Sequence, residues 1–413
     1  ATFVGMHLQA LRRSPLFLTS LVAMSAVGGV GTHIFLPALP AVQQDFAADT
    51  GVVQLTISLA MIALGVAPLI YGPLSDMYGR RPMVLAGTII FLVGCLVCAF
   101  SASLWQLVLG RMMQAAGAAA GYSLSRSIAR DVYGQEDTAR VLAYLMMAVV
   151  IAPMLAPSVG GVLTDVFNWR MIFHFTGVVV FLVLLLFLVG LPETNAVRTG
   201  GGFHSMSKGM RLIVRVPFFW GYALQSALAM SVFYAFLAAA PYLMTDVLER
   251  PARDYGFWFI GLSCCFIFGN FASARLVGRF GKVRLILFGV AATVILLTGG
   301  AILFLTFTLT PFVLFLPTTA IAFVQGLILA NSQAGAIEAH PEAIGAAAGL
   351  SSFLQLAVAA LATQVVGLYA NGTVWPMVAV MAGTTVMALL IMPLLRREIS
   401  SPATDQQRTR EHG

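Results

Sequence analysis

Two ionisable side chains inside long apolar runs are the first candidates for chemistry in this chain. His33 lies near the end of one such run, and Arg111 lies several residues inside another. A histidine has an ordinary pKa of about 6.5, so it takes up and releases a proton near neutral pH. An arginine within a membrane span costs about 3 kcal/mol on insertion scales and is expected to face a bundle interior or a wet cavity. The alternative is that each side chain only bonds backbone carbonyls and supports packing.

A second cluster joins charges and helix breakers in the short link between two apolar runs. Residues 72–82 read G-P-L-S-D-M-Y-G-R-R-P. Asp76 can pair with arginines and with helix termini at a membrane edge, where charges are less screened. Such crowding is costly unless the link has a role, so it indicates a chain that moves solutes across a bilayer. The alternative is ordinary anchoring by positive residues.

The composition predicts an all-α integral membrane protein. The chain has 413 residues, of which 59% are hydrophobic and 9% charged, whereas soluble domains carry about 25% charged residues. A membrane helix needs about 20 apolar residues, and short alternating strands of a barrel are absent. Twelve candidate spans follow, near residues 16–41, 51–73, 82–102, 104–130, 141–163, 169–191, 217–242, 256–278, 283–306, 311–334, 345–370 and 374–395.

The basic residues predict the orientation of these spans. With the N-terminus inside the cell, all but four of the 23 lysines and arginines face the cytoplasm, as the positive-inside rule requires. The exceptions are Arg111 within a span and Arg170, Arg250 and Arg253 outside. Both termini are then cytoplasmic in a multi-pass protein of the bacterial inner membrane. The basic residues form no patch with interleaved aromatics, so no nucleic-acid partner is expected.

The span pattern predicts two six-helix bundles, in residues 1–191 and 217–397. A cytoplasmic linker, 192–216, separates them, and a polar tail, 398–413, follows. Two related halves around a central path are typical of transporters built from parallel repeats.

A degenerate repeat of the charged link supports this division. Residues 274–284 read A-R-L-V-G-R-F-G-K-V-R after span eight. Gly278 stands where Asp76 stands in the first half, so the repeat lacks its acid.

The charged link resembles the signature of the major facilitator superfamily, G-x-L-x-D-x-x-G-R-[RK]. The matching positions are Gly72, Asp76, Gly79, Arg80 and Arg81. In that family the loop is a charge latch that favours one gate state, and the resemblance implies the same here. The fold implied is the twelve-helix major facilitator fold.

Two further segments resemble signatures of this superfamily. In span four, Arg111 and Gln114 match R-x-x-Q-G-x-G, with alanine at the first glycine. In span five, residues 152–161 read A-P-M-L-A-P-S-V-G-G and resemble the antiporter signature G-x-x-x-G-P-x-x-G-G, which marks proton-driven exporters. The positions that carry this second match are Pro153, Pro157, Gly160 and Gly161. The alternative for span five is a kinked, closely packed helix without a transport role.

Four short matches narrow the resemblance to the Bcr/CflA drug-resistance branch of the drug:proton antiporters. They are L-P-A-L-P at 36–40, R-D-V-Y at 130–133, N-W-R at 168–170 and P-E-T at 192–194. Many members of that branch carry an aspartate where this chain has His33, and none of the sixteen acidic residues falls in mid-span here. We therefore expect His33 to be the proton site, with Arg111 nearby.

This charge pattern also predicts the substrate class. A cavity without a carboxylate favours neutral or zwitterionic amphiphiles such as phenicols over quaternary cations. Candidate cavity residues are the polar and aromatic side chains within spans, namely Gln114, Gln225, Phe233, Tyr234, Phe236, Asn331 and Gln355. Each of the polar ones is also of a type that bonds neighbouring helices.

The leading hypothesis is a monomeric, proton-coupled multidrug exporter that works by alternating access in the lipid bilayer. Its energy comes from the proton gradient, and no cofactor or metal is expected. A dedicated exporter of an endogenous sugar or amino acid would share the fold and motifs. A membrane enzyme is disfavoured because the acids are dispersed and no metal-spaced motif occurs. An ATP-driven pump is disfavoured because the chain has no Walker motif.

Overall fold

The computed structural model describes residues 14–195 and 202–399. These residues form helices and connecting turns, and no strand occurs among them. The α-helices are α1 Pro15–His33, α2 Leu39–Phe46, α3 Thr50–Tyr78, α4 Arg80–Ala99, α5 Leu104–Val166, α6 Met171–Gly190, α7 Gly202–Val214, α8 Pro217–Tyr242, α9 Ala252–Phe280, α10 Lys282–Thr306, α11 Pro311–Glu338, α12 Ile344–Leu368 and α13 Trp375–Ile399. A π-helical turn, Leu243–Val247, follows α8, and 3₁₀ turns cover Leu36–Ala38 and Pro341–Ala343.

Capping side chains fix several helix starts. The hydroxyl oxygen of Ser14 accepts from the Phe17 N–H at 3.3 Å before α1, and that of Thr310 accepts from the Val313 N–H at 3.2 Å before α11. Both helices also have proline in the first turn, where its missing N–H is harmless and its fixed φ suits the helix.

The predicted all-α membrane architecture is confirmed. Among the described residues, eleven helical segments are long and apolar enough to cross a membrane. Of the twelve predicted spans, the one outside this set is span four, 104–130, where Arg111, Gln106 and Gln114 lower the hydropathy. Spans four and five are continuous in the structure as the 63-residue α5.

Helix α5 cannot be one straight rod. Ala118 of its first half lies beside Gly28, and Pro153 of its second half lies beside the neighbouring Gly29. In a straight helix these two α5 residues would be about 52 Å apart. The chain therefore turns back between them, so the twelve-span arrangement is kept and both halves pack on α1.

The described chain divides into two compact units. The first contains the described residues before Met206 together with Ala240–Ile260, and the second contains Met206–Ala239 and the described residues from Gly261 onward. The end of α8 and the start of α9 group with the first unit, and the division into two six-helix bundles stays a prediction. Part of the predicted linker is helical, as α7, while residues 196–201 and 400–413 lie outside the described residues.

Candidate proton site and gating contacts

Arg111 lies deep inside the first unit. Its side chain is 2% exposed, and its Nη1 donates to the carbonyl oxygen of Gly31 at 2.8 Å and to Gln114 Oε1 at 2.9 Å. The Gln114 amide in turn donates to Cys95 Sγ at 3.0 Å. The guanidinium also lies 4.8 Å from the centre of the Phe35 ring, a distance suited to a cation–π contact. Arg111 therefore joins α5 to the end of α1.

His33 ends α1 two residues after Gly31 and is half-buried. Its Nδ1 lies 3.0 Å from the Gly29 carbonyl oxygen, which can only accept. Nδ1 therefore carries the hydrogen, and Nε2 is the basic nitrogen of the neutral ring. The ring centre is 6.1 Å from that of Phe259. Arg111 donates to the carbonyl oxygen of Gly31, two residues before His33, so the structure brings the two predicted residues near each other in the fold.

No carboxylate accompanies this buried cation among the described residues. The four ion pairs found there join Asp76 and Asp131 to Arg80, Asp45 to Arg170 and Glu338 to Lys282. Arg111 Nε has no hydrogen-bond partner in the described part of the chain. A buried charge without an ionic partner is costly. The carbonyl and amide dipoles and the negative face of the Phe35 ring thus hold Arg111, and a second positive charge on His33 would add repulsion.

The charged link forms a cluster around Arg80, which we call the latch cluster. Arg80 Nη1 lies 2.6 Å from Asp76 Oδ1, and Nε lies 3.1 Å from Asp131 Oδ2 near the middle of α5. Arg80 Nη1 also bonds the Ser75 hydroxyl. The Arg80 side chain is only 13% exposed. Salt and water therefore screen these ion pairs less than they screen ordinary surface pairs. The family's frequent arginine after the aspartate is Met77 here, and Arg80 with Asp131 supplies ionic contacts instead.

The segment after α6 completes the latch cluster. The Glu193 carboxylate accepts from the backbone N–H groups of Arg80 at 2.9 Å and Arg81 at 3.2 Å, at the start of α4. The Asn195 amide donates to the Ser75 and Asp76 carbonyls at 3.3 and 3.2 Å, at the end of α3. One segment therefore caps both helices that flank the charged link.

Two glycines of the signature have different surroundings. Gly79 has φ +108°, and a Cβ there would overlap the Glu193 carboxylate, so glycine is needed for the turn. A Cβ on Gly72 would meet nothing within 4 Å. Gly72 instead offers its carbonyl oxygen to the Ser75 hydroxyl at 2.8 Å. Arg81 Nη2 donates to the Leu188 carbonyl at 3.0 Å, so every residue of the signature is placed near the latch cluster.

Sequence reasoning missed Asp131, Glu193 and Asn195 as parts of this cluster. The signal was present, because R-D-V-Y and P-E-T were recognised as branch motifs. The predicted topology also put these segments on the side of the membrane that holds the charged link. Their partners were not predicted, since hydrogen bonds between residues 51 to 120 positions apart depend on tertiary packing.

The second unit has its own ion pair at the repeat of the charged link. Lys282, which starts α10, pairs with Glu338 at the end of α11. The repeat lacks an acid in its own sequence, as predicted, and an acid from a later helix takes its place. Glu338 is 64% exposed in its side chain, so this pair contributes little stability.

The N-W-R motif ties together connections of the first unit. Asp45 Oδ2 accepts from Trp169 Nε1 at 3.1 Å and from Arg170 Nη1 at 2.7 Å. Arg170 Nη2 also donates to the Ser101 carbonyl at 3.1 Å. The last turn of α2 and the connections from α4 to α5 and from α5 to α6 are therefore held near one another.

The antiporter-like segment of α5 forms a close backbone contact, here called the span-five contact. A Cβ on Gly160 would overlap the carbonyl oxygen of Ile34, just after α1. A Cβ on Gly161 would lie 2.6 Å from the Ala252 carbonyl oxygen, and one on Gly256 would lie 2.6 Å from that of Pro157. Glycine is thus required where α5 meets the end of α1 and the start of α9. Pro153 packs against α1.

Polar groups reinforce the span-five contact. The Ser158 hydroxyl donates to the Gly256 carbonyl at 2.9 Å. The two oxygens of the Asp165 carboxylate accept from the N–H groups of Ala252 and Arg253, each at 3.0 Å. Asp165 therefore caps the start of α9, where a negative charge is favourable. Sequence analysis identified the prolines and glycines here but not Ser158 or Asp165.

Gly160→Ala is expected to lower transport about tenfold, because relieving an overlap with backbone of this kind costs about 1–3 kcal/mol. The measurement is the initial transport rate per folded protein in proteoliposomes. Gly299→Ala, in α10, is the matched control, since its Cβ would meet nothing within 4 Å. Unchanged transport by Gly160→Ala would contradict a role for the span-five contact.

Most candidate cavity residues of the second unit are buried and bonded within it. Asn331 Nδ2 donates to the Ser273 hydroxyl at 2.7 Å, and Gln355 Nε2 donates to the Ser226 hydroxyl at 3.1 Å. Tyr234 is 4% exposed and Phe233 is half-buried. Phe236 packs edge-on against Phe315, with ring centres 5.2 Å apart. Gln225 faces an internal cavity. Substrate contact by these side chains stays a prediction.

Comparison with known proteins gives one consistent picture. The model of the Major Facilitator Superfamily matches residues 16–363. The chain is similar to the "Bicyclomycin resistance protein homolog" of Haemophilus influenzae, with 25% identity over 91% of this chain and 94% of that protein. It is also similar to the "Chloramphenicol resistance protein" of Pseudomonas aeruginosa, with 27% identity over 68% of this chain and 66% of that protein. The predicted resemblance to a drug-resistance branch is thus confirmed.

A solved structure has the same fold. It is a bacterial homolog of the human lysosomal transporter Spinster, in an inward-facing and unoccupied conformation. Its TM-score is 0.74 at 17% identity, and the match covers 94% of this chain and 99% of that one.

Proposed function

Since the chain belongs to the major facilitator superfamily, we propose that it exports small neutral or zwitterionic amphiphiles in exchange for protons. The proposal is carried by one observation. Buried Arg111 bonds Gly31, two residues before titratable His33, and among the described residues no carboxylate pairs with this arginine. The inner membrane of a bacterium is the location that the bacterial relatives support, and the distribution of basic residues supports an orientation with both termini in the cytoplasm.

Proton coupling is assigned to His33. Protonation puts a second positive charge near Arg111, in a place where charge is poorly screened. Since this repulsion gives the protonated state a higher electrostatic energy, a substrate bound beside the ring favours the unprotonated state. Substrate binding then releases the proton, as exchange requires. Arg111 donates to Gly31, two residues before His33, so charge on the ring acts directly on the junction of α1 and α5.

The latch cluster and the span-five contact are assigned to the two gates of alternating access. The first ties α3, α4, α5 and the segment after α6 together through Arg80 and Glu193. The second ties α5 to the start of α9 through Ser158 and Asp165. In the predicted topology they lie at opposite membrane faces. A transport cycle then requires contacts at one face to loosen while those at the other form.

The substrate class follows from charge. A lipophilic cation would bring positive charge toward Arg111 without a carboxylate to receive it, and such like-charge contacts cost several kcal/mol. Chloramphenicol is uncharged, and the relatives named for resistance to bicyclomycin and chloramphenicol are consistent with a neutral substrate.

Chloramphenicol is therefore expected to be transported at least about tenfold faster than tetraphenylphosphonium at equal concentration. The measurement is the rate at which each compound moves across the membrane of proteoliposomes with an imposed pH gradient. Proteoliposomes without a pH gradient are the control. Equal rates for both compounds would contradict the assigned substrate class. Transport of neither, with transport of a sugar or amino acid, would favour a dedicated metabolite exporter.

A further inference from the structure

The second unit contains a small cavity between α8, α10, α11 and α13. Its polar lining consists of Gln225, Thr293, Gln325, Thr384 and Thr385, and the rest is apolar. The cavity volume is about 10 Å³, which is about what one water molecule requires. A drug-sized molecule needs a far larger pocket, roughly 300 Å³ or more.

Two glutamines turn buried polar atoms toward this cavity. Gln225 is 1% exposed, and both its Oε1 and its Nε2 have no hydrogen-bond partner in the described part of the chain. Gln325 is 2% exposed, and its Oε1 likewise has none among the described residues. Buried amides are nearly always hydrogen-bonded to protein or to ordered water.

The threonines of the lining offer acceptors. The Thr293 hydroxyl donates to the Gly289 carbonyl at 2.9 Å, and the Thr385 hydroxyl donates to the Met381 carbonyl at 2.7 Å. Because each hydroxyl hydrogen is used within its own helix, the oxygen lone pairs remain as acceptors toward the cavity.

We propose that this cavity binds one structural water molecule that bridges Gln225 of α8 and Gln325 of α11. A water accepts a hydrogen bond from Gln225 Nε2 and donates to the two Oε1 atoms, so a single molecule serves all three groups. A sodium or potassium ion would be repelled by the Nε2 hydrogens and cannot accept from them. It would also be buried without a carboxylate in the lining, which is strongly unfavourable.

The water is a cross-link inside the second unit, independent of the proposed transport function. It joins two helices whose glutamines have no direct hydrogen bond to each other. The inference therefore stands or falls on stability and on direct observation, whatever substrate the protein moves.

The first test is a double-substitution cycle with Gln225→Met and Gln325→Met, which keep side-chain size. Each single change deprives the water and the remaining glutamine of a partner, so each is expected to lower the melting temperature by about 2–5 °C. The double change removes both ends, and its loss should be smaller than the sum of the single losses. Intrinsic tryptophan fluorescence of the full chain in detergent measures these temperatures.

Asn331→Leu combined with Gln225→Met is the control cycle. Asn331 lies on α11 but bonds Ser273 directly, so its loss should add to that of Gln225→Met. The proposal would be overturned if both single glutamine variants melted at a higher temperature than the wild type and the double variant showed the sum of the two increases. That result would show that the cavity is dry.

The second test is a crystal structure at a resolution that shows ordered water. Density within hydrogen-bond distance of both carboxamides, lost in the Gln225→Met/Gln325→Met variant, is the expected result. Absence of such density overturns the proposal, and so does a melting temperature that rises when sodium or potassium chloride replaces choline chloride.

Discussion

His33→Gln is expected to abolish drug transport driven by a pH gradient. Glutamine can still donate to the Gly29 carbonyl, which now accepts from His33 Nδ1 at 3.0 Å, but it does not titrate. The protein should therefore fold and bind substrate, while protons no longer change the charge beside Arg111. The measurement is uphill chloramphenicol transport in proteoliposomes, with drug exchange at equal pH as the readout of substrate movement alone.

His174→Gln is the matched control for that experiment. His174 lies in α6, is exposed, and packs edge-on against Phe100 with ring centres 5.6 Å apart. Its removal should leave uphill transport unchanged. Uphill transport at the wild-type level in His33→Gln would contradict the assignment, as would loss of transport in His174→Gln alone.

Arg80→Gln has the second large expected effect. It removes both ionic contacts of the latch cluster and leaves Asp76 and Asp131 without their shared partner. Hydrogen bonds to charged groups contribute about 1.5–3 kcal/mol each, and a shift of 1–3 kcal/mol in a two-state equilibrium is about 5–150-fold. We expect the transport rate to fall at least about tenfold, measured as the initial rate per folded protein.

A double-substitution cycle separates the latch from a general loss of charge. Asp131→Asn and Arg80→Gln share one contact, so their combined effect should be smaller than the sum of the single effects. Lys282→Gln serves as the control, because its pair with Glu338 is more exposed and should contribute little. Additive effects of Arg80→Gln and Asp131→Asn would show that the 3.1 Å pair has no role in gating.

Much of this fold could be predicted from the local sequence, because length and hydropathy identify membrane helices. Arg111 was expected to face the bundle interior, and it does so with 2% exposure. The prolines and glycines of span five were expected to allow close helix packing. Gly160 and Gly161 do lie at close backbone contacts. The placement of Arg111 depends on the free-energy cost of a charged side chain in lipid, and that of the glycines depends on the absence of a side chain.

Features that depend on distant partners were not predictable from local patterns. Asn195 bonds the end of α3 across about 120 residues of chain, and Asp165 caps a helix that begins 87 residues later. The helical conformation of residues 131–140 was also unexpected, since this polar link between spans four and five reads as a loop. Helix formers such as Ala139, Gln135 and Glu136 are compatible with helix there. Gln225 lines a small cavity together with residues of three other helices, which no local pattern shows, and its contact with substrate stays a prediction.

The most direct test of the central claim is proton release on substrate binding. Purified protein in detergent and weakly buffered solution is mixed with chloramphenicol at a series of pH values from about 6.5, the ordinary histidine pKa, downward. Released protons are followed with a soluble pH indicator. The account predicts release from the wild type and from His174→Gln, and none from His33→Gln although it still binds the drug. Equal proton release from His33→Gln would contradict the account.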